Sequence, residues 1–279
     1  MDQTDEFAAS LLIVRQAANT GTQHGRGKDG NQLDHLHKNK KPGKLRKSGG
    51  MTILHEDRDL LVVVKPSGLL TVGTARDKAR TAHYLLNDYV RKGDPKSRNR
   101  VYVVHRLDQD TSGILLFAKS QPAKQFLQEH WGETGKHYLA IVHGRMKTPE
   151  GTISTYLAEN TALNVYSTGD AAKGKLAHTE YRVLQETRES SLVEIHLLTG
   201  RKHQIRVHFA DQGHPVLGDR KYGNITRSAK RLALHASRIS FLHPFNGRRL
   251  TFDTGMPEDF VRMLGQKCSG QRIPDPKAD

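Results

Sequence analysis

Cysteine is nearly absent from this 279-residue chain, which contains one, Cys268. A single thiol cannot form an internal disulfide framework or a cysteine-rich zinc site, and such usage fits the reducing cytoplasm, where we expect the protein. Long hydrophobic runs are absent as well, since none approaches the roughly 18 apolar residues of a membrane-spanning helix. The apolar stretch 7–14 follows an acidic start and lacks the positive flank of a signal peptide, so we expect no membrane association.

Acidic residues are scarce relative to basic ones. Lys and Arg number 44 against 29 Asp and Glu, which gives a formal net charge of +15. Such an excess suits a polyanionic partner, because each phosphate that is neutralised releases counterions. A charge that only keeps the protein in solution is the alternative, and the size of the excess favours nucleic acid.

Hydrophobic periodicity predicts more strands than helices, and neighbouring strands along the chain look paired. We therefore expect an α+β fold, with a mixed, mostly antiparallel central sheet and flanking helices. A helix is predicted to start at Ser120 as its N-cap, and another to follow Thr199 as its N-cap. Residues 144–174 read as irregular, with a short hairpin and a surface loop. The other predicted strands lie at 52–56, 60–65, 136–143, 177–185, 191–199, 232–242 and 249–252, and the other predicted helices at 81–91 and 259–264.

Two apolar segments with a polar hinge between them stand out near the middle of the chain. Residues 101–104 and 114–118 are short and β-branched, as buried strands are, and 105–113 reads H-R-L-D-Q-D-T-S-G. A carboxylate where a buried strand ends, such as Asp108, is held rigidly and can face a cleft, which suits catalysis. The residues alone equally allow a local ion pair between Arg106 and Asp108 followed by a simple turn.

The pattern H-R-L-D-x-x-T-S-G at 105–113 resembles the signature of the RluA-type pseudouridine synthases, which isomerise uridine in RNA. Seven specified residues in nine positions make the motif specific. Three further segments agree with that family in order, K-P-S-G-L at 65–69, K-H-Y-L-A at 136–140 and T-G-R-K-H-Q-I-R-V-H at 199–208. The resemblance covers about 51–260 and implies the pseudouridine synthase catalytic fold.

The resemblance also implies roles for particular residues. Asp108 would be the catalytic aspartate, and whether it attacks C1′, adds to C6 or removes the 2′ proton stays open. Arg206 would be its basic partner, which favours the charged carboxylate and fixes its position. Tyr138 would lie against the target base and assist proton removal, unless it is only a core aromatic. Arg106 would enter the space left by the flipped uridine. Contacts with RNA or substrate are expected from His105, Arg201, His203, Gln204 and Lys65.

Two other functions are compatible with parts of the sequence. A metal-dependent hydrolase could use His203 and His208, but five residues apart is not the spacing that puts two ligands on one helix face, and no carboxylate completes the set. We expect no metal and no cofactor. A non-catalytic RNA-binding or ribosome-assembly protein of the same fold has no need of Asp108, Tyr138 and Arg206 together.

Three regions are predicted from composition and resemblance. Residues 1–50 would be a flexible basic extension that adds phosphate affinity, with a passive linker as the alternative. Unlike many relatives of this type, the extension lacks the apolar periodicity of an S4 RNA-binding domain. Residues 51–265 would form the catalytic domain, and 266–279 a polar tail. The expected partner is a ribosomal or transfer RNA stem-loop, the choice between them being open, and the expected state is a monomer.

Overall fold

The computed structural model describes residues 46–73, 80–223 and 229–265. The predicted basic extension and the predicted polar tail therefore lie almost wholly outside the described residues and stay predictions. Among the described helices, none combines the length and the apolar character needed to cross a membrane.

The described residues form one mixed sheet of twelve strands with four flanking α-helices, as the sequence predicts. The strands are β1 (Lys47–Ser48), β2 (Met51–Glu56), β3 (Leu60–Lys65), β4 (Tyr102–Val103), β5 (Ser112–Ala118), β6 (Gly135–His143), β7 (Glu150–Glu159), β8 (Val165–Thr168), β9 (Lys175–Glu186), β10 (Ser190–Leu197), β11 (Leu234–Leu242) and β12 (Arg249–Asp253). The helices are α1 (Ala82–Arg91), α2 (Gln121–Glu129), α3 (Gln204–Asp211) and α4 (Glu258–Met263).

The strand order is β1-β2-β3-β5-β11-β6-β10-β9-β7-β8, with β4 paired to β5 and β12 paired to β11. Every described pairing is antiparallel except that of β5 with β11. Strand β11 comes late in the chain and lies between the two halves of the sheet, pairing with β5 on one side and with β6 on the other. The polar hinge therefore lies where β3 ends and where both β5 and β11 begin.

Gly113 explains why β5 begins earlier than predicted. Ser112 and Gly113, which the sequence assigns to the polar hinge, already belong to β5. A β-carbon at Gly113 would lie 2.3 Å from the carbonyl oxygen of Ala236, and its φ is +119°. Only glycine therefore lets β11 approach the start of β5 closely enough to pair.

The two predicted helix caps had opposite outcomes. Ser120 caps α2, accepting a hydrogen bond from the backbone N–H of Ala123 at 3.2 Å. Thr199 does not cap α3, which begins only at Gln204 and has His203 at its N-cap in the left-handed region. The hydroxyl of Thr199 instead donates to the side-chain oxygen of Gln204 at 2.9 Å. This local hydrogen bond holds the residues before α3 out of the helix.

The hairpin predicted within 144–174 is confirmed by β7 and β8, but the prediction that this segment is otherwise irregular is wrong. Strand β7 is ten residues long, pairs with β9 from Glu150 to Leu157, and forms a hairpin with β8. Most of its residues are half-buried or exposed, because one face of this end of the sheet is open to solvent. Its Thr, Ser and Gly content hid the alternation that a strand with a polar face shows.

Candidate active site

One cleft of about 950 Å³ lies beside the polar hinge. Seven of the nine predicted site residues line it: His105, Arg106, Asp108, Tyr138, Arg201, His203 and Arg206. They come from the hinge, from β6 and from the start of α3, three regions that only the folded sheet brings together. The remaining two, Lys65 and Gln204, lie behind the surface of the cleft.

Arg206 connects α3 to the hinge across 98 residues of chain. Its Nη1 donates to Asp108 Oδ2 at 3.3 Å. On its other side Nε and Nη2 donate to the two carboxylate oxygens of Asp219, at 2.7 and 2.9 Å. The predicted partner of Asp108 is thus in place, and the described ion pairs contain none between Arg106 and Asp108. The alternative of a local pair within the hinge is therefore wrong.

Asp219 holds Arg206 from the buried side. Its side chain is fully buried and also accepts hydrogen bonds from the backbone N–H groups of Lys221 and Tyr222. Burial alone would raise the pKa of Asp219, and these bonds outweigh burial and lower it. Burial also opposes the charged form of Arg206 and by itself would lower its pKa, but Asp219 and Asp108 raise that pKa. The pair stays ionised and fixes the guanidinium.

Asp219 was not among the predicted site residues, although the sequence carries a signal for it. It is the only acidic residue between Asp211 and Asp253, in a stretch that is otherwise basic. Gly218 places it: a β-carbon there would lie 2.2 Å from the carbonyl oxygen of Arg231, and its φ is +77°. The chain can therefore turn against Arg231 and direct Asp219 toward α3 only with glycine at this position.

His203 faces Asp108 from a second direction, with its Nε2 3.8 Å from Oδ2. Its Nδ1 lies 2.6 Å from the hydroxyl oxygen of Tyr222, which accepts the backbone N–H of Val165 at 3.2 Å. If the Tyr222 hydroxyl donates to Nδ1, the proton of a neutral imidazole is on Nε2 and points at the carboxylate. The reverse tautomer would aim a lone pair at a negative charge, so we assign the Nε2–H form. Burial lowers the pKa of His203, with the charge of Asp108 opposing, which favours the neutral ring.

Tyr138 lies on β6 between the two halves of the core and contacts the apolar clusters on both sides. It is half-buried and lines the cleft. Burial raises the pKa of its phenol, and the nearby charge of Asp108 raises it further. The hydroxyl therefore keeps its proton at neutral pH.

Lys65 is predicted as an RNA contact, and the structure corrects this. The side chain is fully buried, and its ammonium donates to the carbonyl oxygens of Pro66, Leu69 and Gln109 at 2.8 to 3.0 Å. Burial lowers its pKa to about 8, against the opposing charges of two hinge aspartates. Lys65 thus ties the turn after β3 to the hinge, and it has no surface for RNA.

Gln204 is also corrected from RNA contact to internal support. Only 2% of it is exposed. Its oxygen accepts from Thr199 and from the backbone N–H of Arg201, and its nitrogen donates to Thr179 and to the carbonyl of His178, all at 2.9 Å. With its hydrogen bonds made internally, Gln204 fastens the start of α3 to β9.

His105 lines the cleft but is not a cation. Its Nε2 accepts the backbone N–H of Leu116 at 3.0 Å, and its ring centroid lies 4.7 Å from that of Trp131. Burial, helped by the charge of Lys136, lowers its pKa to about 3. The exposed cationic residues at the cleft are instead Arg106, Arg201, Lys202, Arg220 and Lys221.

Among the described residues, one group of potential metal ligands lies close together, and it lies away from this cleft. Asp57, Asp59 and His243 bring their ligand atoms within 4.8 Å of one another. Asp57 Oδ2, however, already accepts hydrogen bonds from His55 and His243, and Oδ1 accepts two backbone N–H groups. These hydrogen bonds tie two hairpin turns together and use both oxygens of Asp57.

Comparison with known proteins identifies the family of this chain. Residues 59–211 match the RNA pseudouridylate synthase family. An uncharacterised RNA pseudouridine synthase of Mycoplasma genitalium is 36% identical over 222 residues, covering 77% of this chain and 69% of that protein. The ribosomal large subunit pseudouridine synthase D of Zymomonas mobilis is 34% identical over 229 residues, covering 75% and 70%.

Solved structures show the same relationship. The human protein RNA pseudouridylate synthase domain containing 4 superposes with a TM-score of 0.64 at 25% identity, covering 76% of this chain and 91% of that chain. Its counterpart, domain containing 1, gives 0.61 at 27% identity, covering 81% and 89%. This chain belongs to the RNA pseudouridylate synthase family and is an isomerase of RNA uridine.

Proposed function

We propose that the protein converts specific uridines of structured ribosomal RNA to pseudouridine, as a cytoplasmic monomer, with Asp108 as its catalytic carboxylate. The observation that carries the assignment is the position of Asp108, half-exposed in the cleft and held by Arg206. Relatives named for the large ribosomal subunit support ribosomal RNA as the substrate class. The basic extension at 1–50 would add affinity for phosphates at no particular sequence.

The reaction breaks the bond from ribose C1′ to uracil N1 and forms one from C1′ to C5. The proton on C5 must leave and N1 must gain one, so the change is an isomerisation with no net redox step. Asp108 suits this chemistry because Arg206 and His203 both face Oδ2. Among the described residues no hydrogen bond reaches Oδ1, so we assign Oδ1 as the oxygen that reacts with the nucleotide.

Tyr138 would pack against the uracil, since it lines the cleft on the side of the core. Its phenol is protonated at neutral pH, because burial and Asp108 raise its pKa. We therefore assign it a hydrogen-bonding contact with the base during proton transfer, in place of a preformed phenolate.

Arg106 would take the place of the extruded uridine. A base inside a stem cannot enter the cleft without leaving the stack. Arg106 is exposed at the cleft and, among the described residues, makes no ion pair with Asp108. Its guanidinium is thus available to stack on the bases that the uridine leaves.

A map of pseudouridine across cellular RNA tests the proposal. Cells lacking the gene should lose one or a few ribosomal sites, which return with the wild-type chain and not with Asp108→Asn. Loss of transfer RNA sites alone would change the substrate class. If no site is lost and the purified chain converts no ribosomal RNA, the proposal fails in favour of a non-catalytic RNA-binding protein.

A further inference from the structure

A second groove of about 760 Å³ opens beside the catalytic cleft and shares Val72 and Val103 with it. We call it the α1–α2 groove, after the two helices that contribute to its walls. The two spaces also follow one face of α2, because Lys124 lines the groove and Gln128, one turn later, lines the cleft. The groove is therefore the space next to the cleft that an RNA strand bound in the cleft can reach.

The charge of this groove is positive and largely unpaired. Arg91, Arg100 and Lys124 line it against a single acid, Asp88. None of these three cations takes part in an ion pair within the described part of the chain. Unpaired cations in one groove attract a polyanion.

An aromatic ring stands exposed among these charges. Tyr84 lies on α1 one turn before Asp88 and is 52% exposed, more than any other tyrosine that the structure describes. Nucleic-acid bases stack on exposed aromatic rings of this kind, and every base offers a face for it. The groove opens beside the cleft that takes the target uridine, so RNA is the occupant that its charge and its exposed ring favour.

The wall that carries Arg100 is held in place before any ligand binds. Asn87 accepts the backbone N–H of Val101 at 3.0 Å, and His83 contacts the carbonyl of the same residue at 3.1 Å. Asn99 donates to the carbonyl of Val90 at 3.4 Å. The loop after α1 is thus fastened to the helix at Asn99 and at Val101, which reduces the ordering that binding would require.

From these observations we infer that the α1–α2 groove binds an unpaired nucleotide next to the target uridine, with its base on Tyr84 and its phosphates at Arg91 and Arg100. The inference rests on the proposed function only for the identity of the uridine. It adds a requirement on the substrate: the RNA beside the target must be single-stranded or able to open.

Binding to two RNA probes tests the stacking contact. The full chain carrying Asp108→Asn is titrated with a short fluorescein-labelled oligouridine and with a blunt RNA duplex of equal length. Tyr84→Ala should weaken oligouridine binding roughly tenfold and leave duplex binding unchanged, whereas Tyr84→Phe should bind like the parent. Tyr166→Ala, which removes a 43% exposed tyrosine outside the groove, is the matched control. Equal losses on both probes, or no loss from Tyr84→Ala, overturn the inference.

Charge substitutions test the phosphate contacts separately. Replacing both Arg91 and Arg100 with Gln should flatten the salt dependence of oligouridine binding by roughly 1.4 in the log–log slope. Asp88→Asn should act in the opposite direction and tighten binding. An unchanged slope together with an unchanged Asp88→Asn affinity contradicts the inference. Because binding is measured without turnover, these results do not depend on whether Asp108 is the catalytic residue.

Discussion

The two sides of the Arg206 guanidinium differ in how completely they bind an aspartate. On the buried side, Asp219 uses both oxygens at 2.7 and 2.9 Å, accepts two backbone N–H groups and has no exposed surface. On the cleft side, Asp108 offers one oxygen at 3.3 Å and keeps 26% of its side chain exposed. One arginine thus binds two carboxylates, one with both oxygens hydrogen-bonded and one that is held through a single oxygen.

The difference separates structural support from reactivity. A carboxylate with all its hydrogen bonds made has no lone pair for a substrate, whereas one that is fixed through a single oxygen presents the other. Asp219 thereby positions Arg206, and Arg206 positions Asp108. Substitutions on the two sides should consequently affect stability and turnover in different proportions.

The largest loss of turnover among the supporting residues is expected from Arg206→Lys. Lysine keeps the charge but is a point donor without a planar fork, so it cannot hold Asp219 with two bonds and reach Asp108 with a third. Turnover should fall about a thousandfold, since misplacement by 1 Å already loses about a hundredfold. Single-turnover conversion of the mapped ribosomal RNA measures it. Near-normal turnover would mean that charge alone, without geometry, sustains Asp108.

Tyr138→Phe tests the cleft wall next to Asp108. It keeps the ring that contacts both core clusters and removes only the hydroxyl. Turnover should fall about a hundredfold, the low end of what a proton-transfer contact contributes, with no change in the midpoint of urea unfolding. Tyr181→Phe, on β9, is the control for loss of a tyrosine hydroxyl. Full activity would make Tyr138 a packing residue only.

A smaller loss of turnover is expected from His203→Gln, which changes the second side chain that faces Asp108. Glutamine can still donate toward Oδ2 but has no ring held by Tyr222, so the carboxylate is placed less well. We expect turnover to fall about tenfold, with Tyr222→Phe causing a smaller fall in the same direction. The two variants combined should be no worse than His203→Gln alone, as expected for residues that act in one chain. Additive losses would show that Tyr222 acts independently.

His208, on the buried side of α3, should make the free energy of unfolding depend on pH without affecting turnover. His208 is fully buried, contacts the hydroxyls of Thr155 and Thr179, and has its pKa lowered by burial to about 4. Because the folded pKa lies below the unfolded one, the unfolded chain binds more protons, and this stability is present above about pH 6.5 and is lost as pH falls toward 4.

Between pH 7 and pH 5 the free energy of unfolding should therefore fall by about 2 kcal/mol more in the wild type than in His208→Gln. Urea unfolding at the two pH values measures both proteins. His105 and His235, whose pKa values burial lowers to about 3 and about 4, contribute to both proteins alike. Equal falls would mean that His208 does not titrate in this range.

The hinge side of the site was readable from sequence, because its information is local. The motif at 105–113 contains Asp108 together with its neighbours, and Ser120 stands immediately before the helix that it caps. The other side was less readable, because it depends on contacts distant in sequence. Asp219 reaches Arg206 only because Gly218 lets the chain turn against Arg231 and because α3 lies next to that turn.

Burial explains the remaining errors of prediction. Lys65 and Gln204 belong to segments that resemble the family, and their polarity favoured RNA contact, yet both turn inward to satisfy backbone groups. Thr199 has the chemistry of a helix cap but bonds to Gln204 instead. Sequence shows which side chains are polar, and only the fold shows whether they face the cleft or the backbone.

The most direct test compares Asp108→Asn with Asp219→Asn by turnover and by urea unfolding side by side. Asp108→Asn should abolish conversion of the mapped RNA while the protein stays as stable as wild type and still binds oligouridine. Asp219→Asn should lower the free energy of unfolding by about 3 kcal/mol, since it leaves a buried guanidinium without its partner. Measurable conversion by Asp108→Asn would contradict its assignment as the catalytic carboxylate.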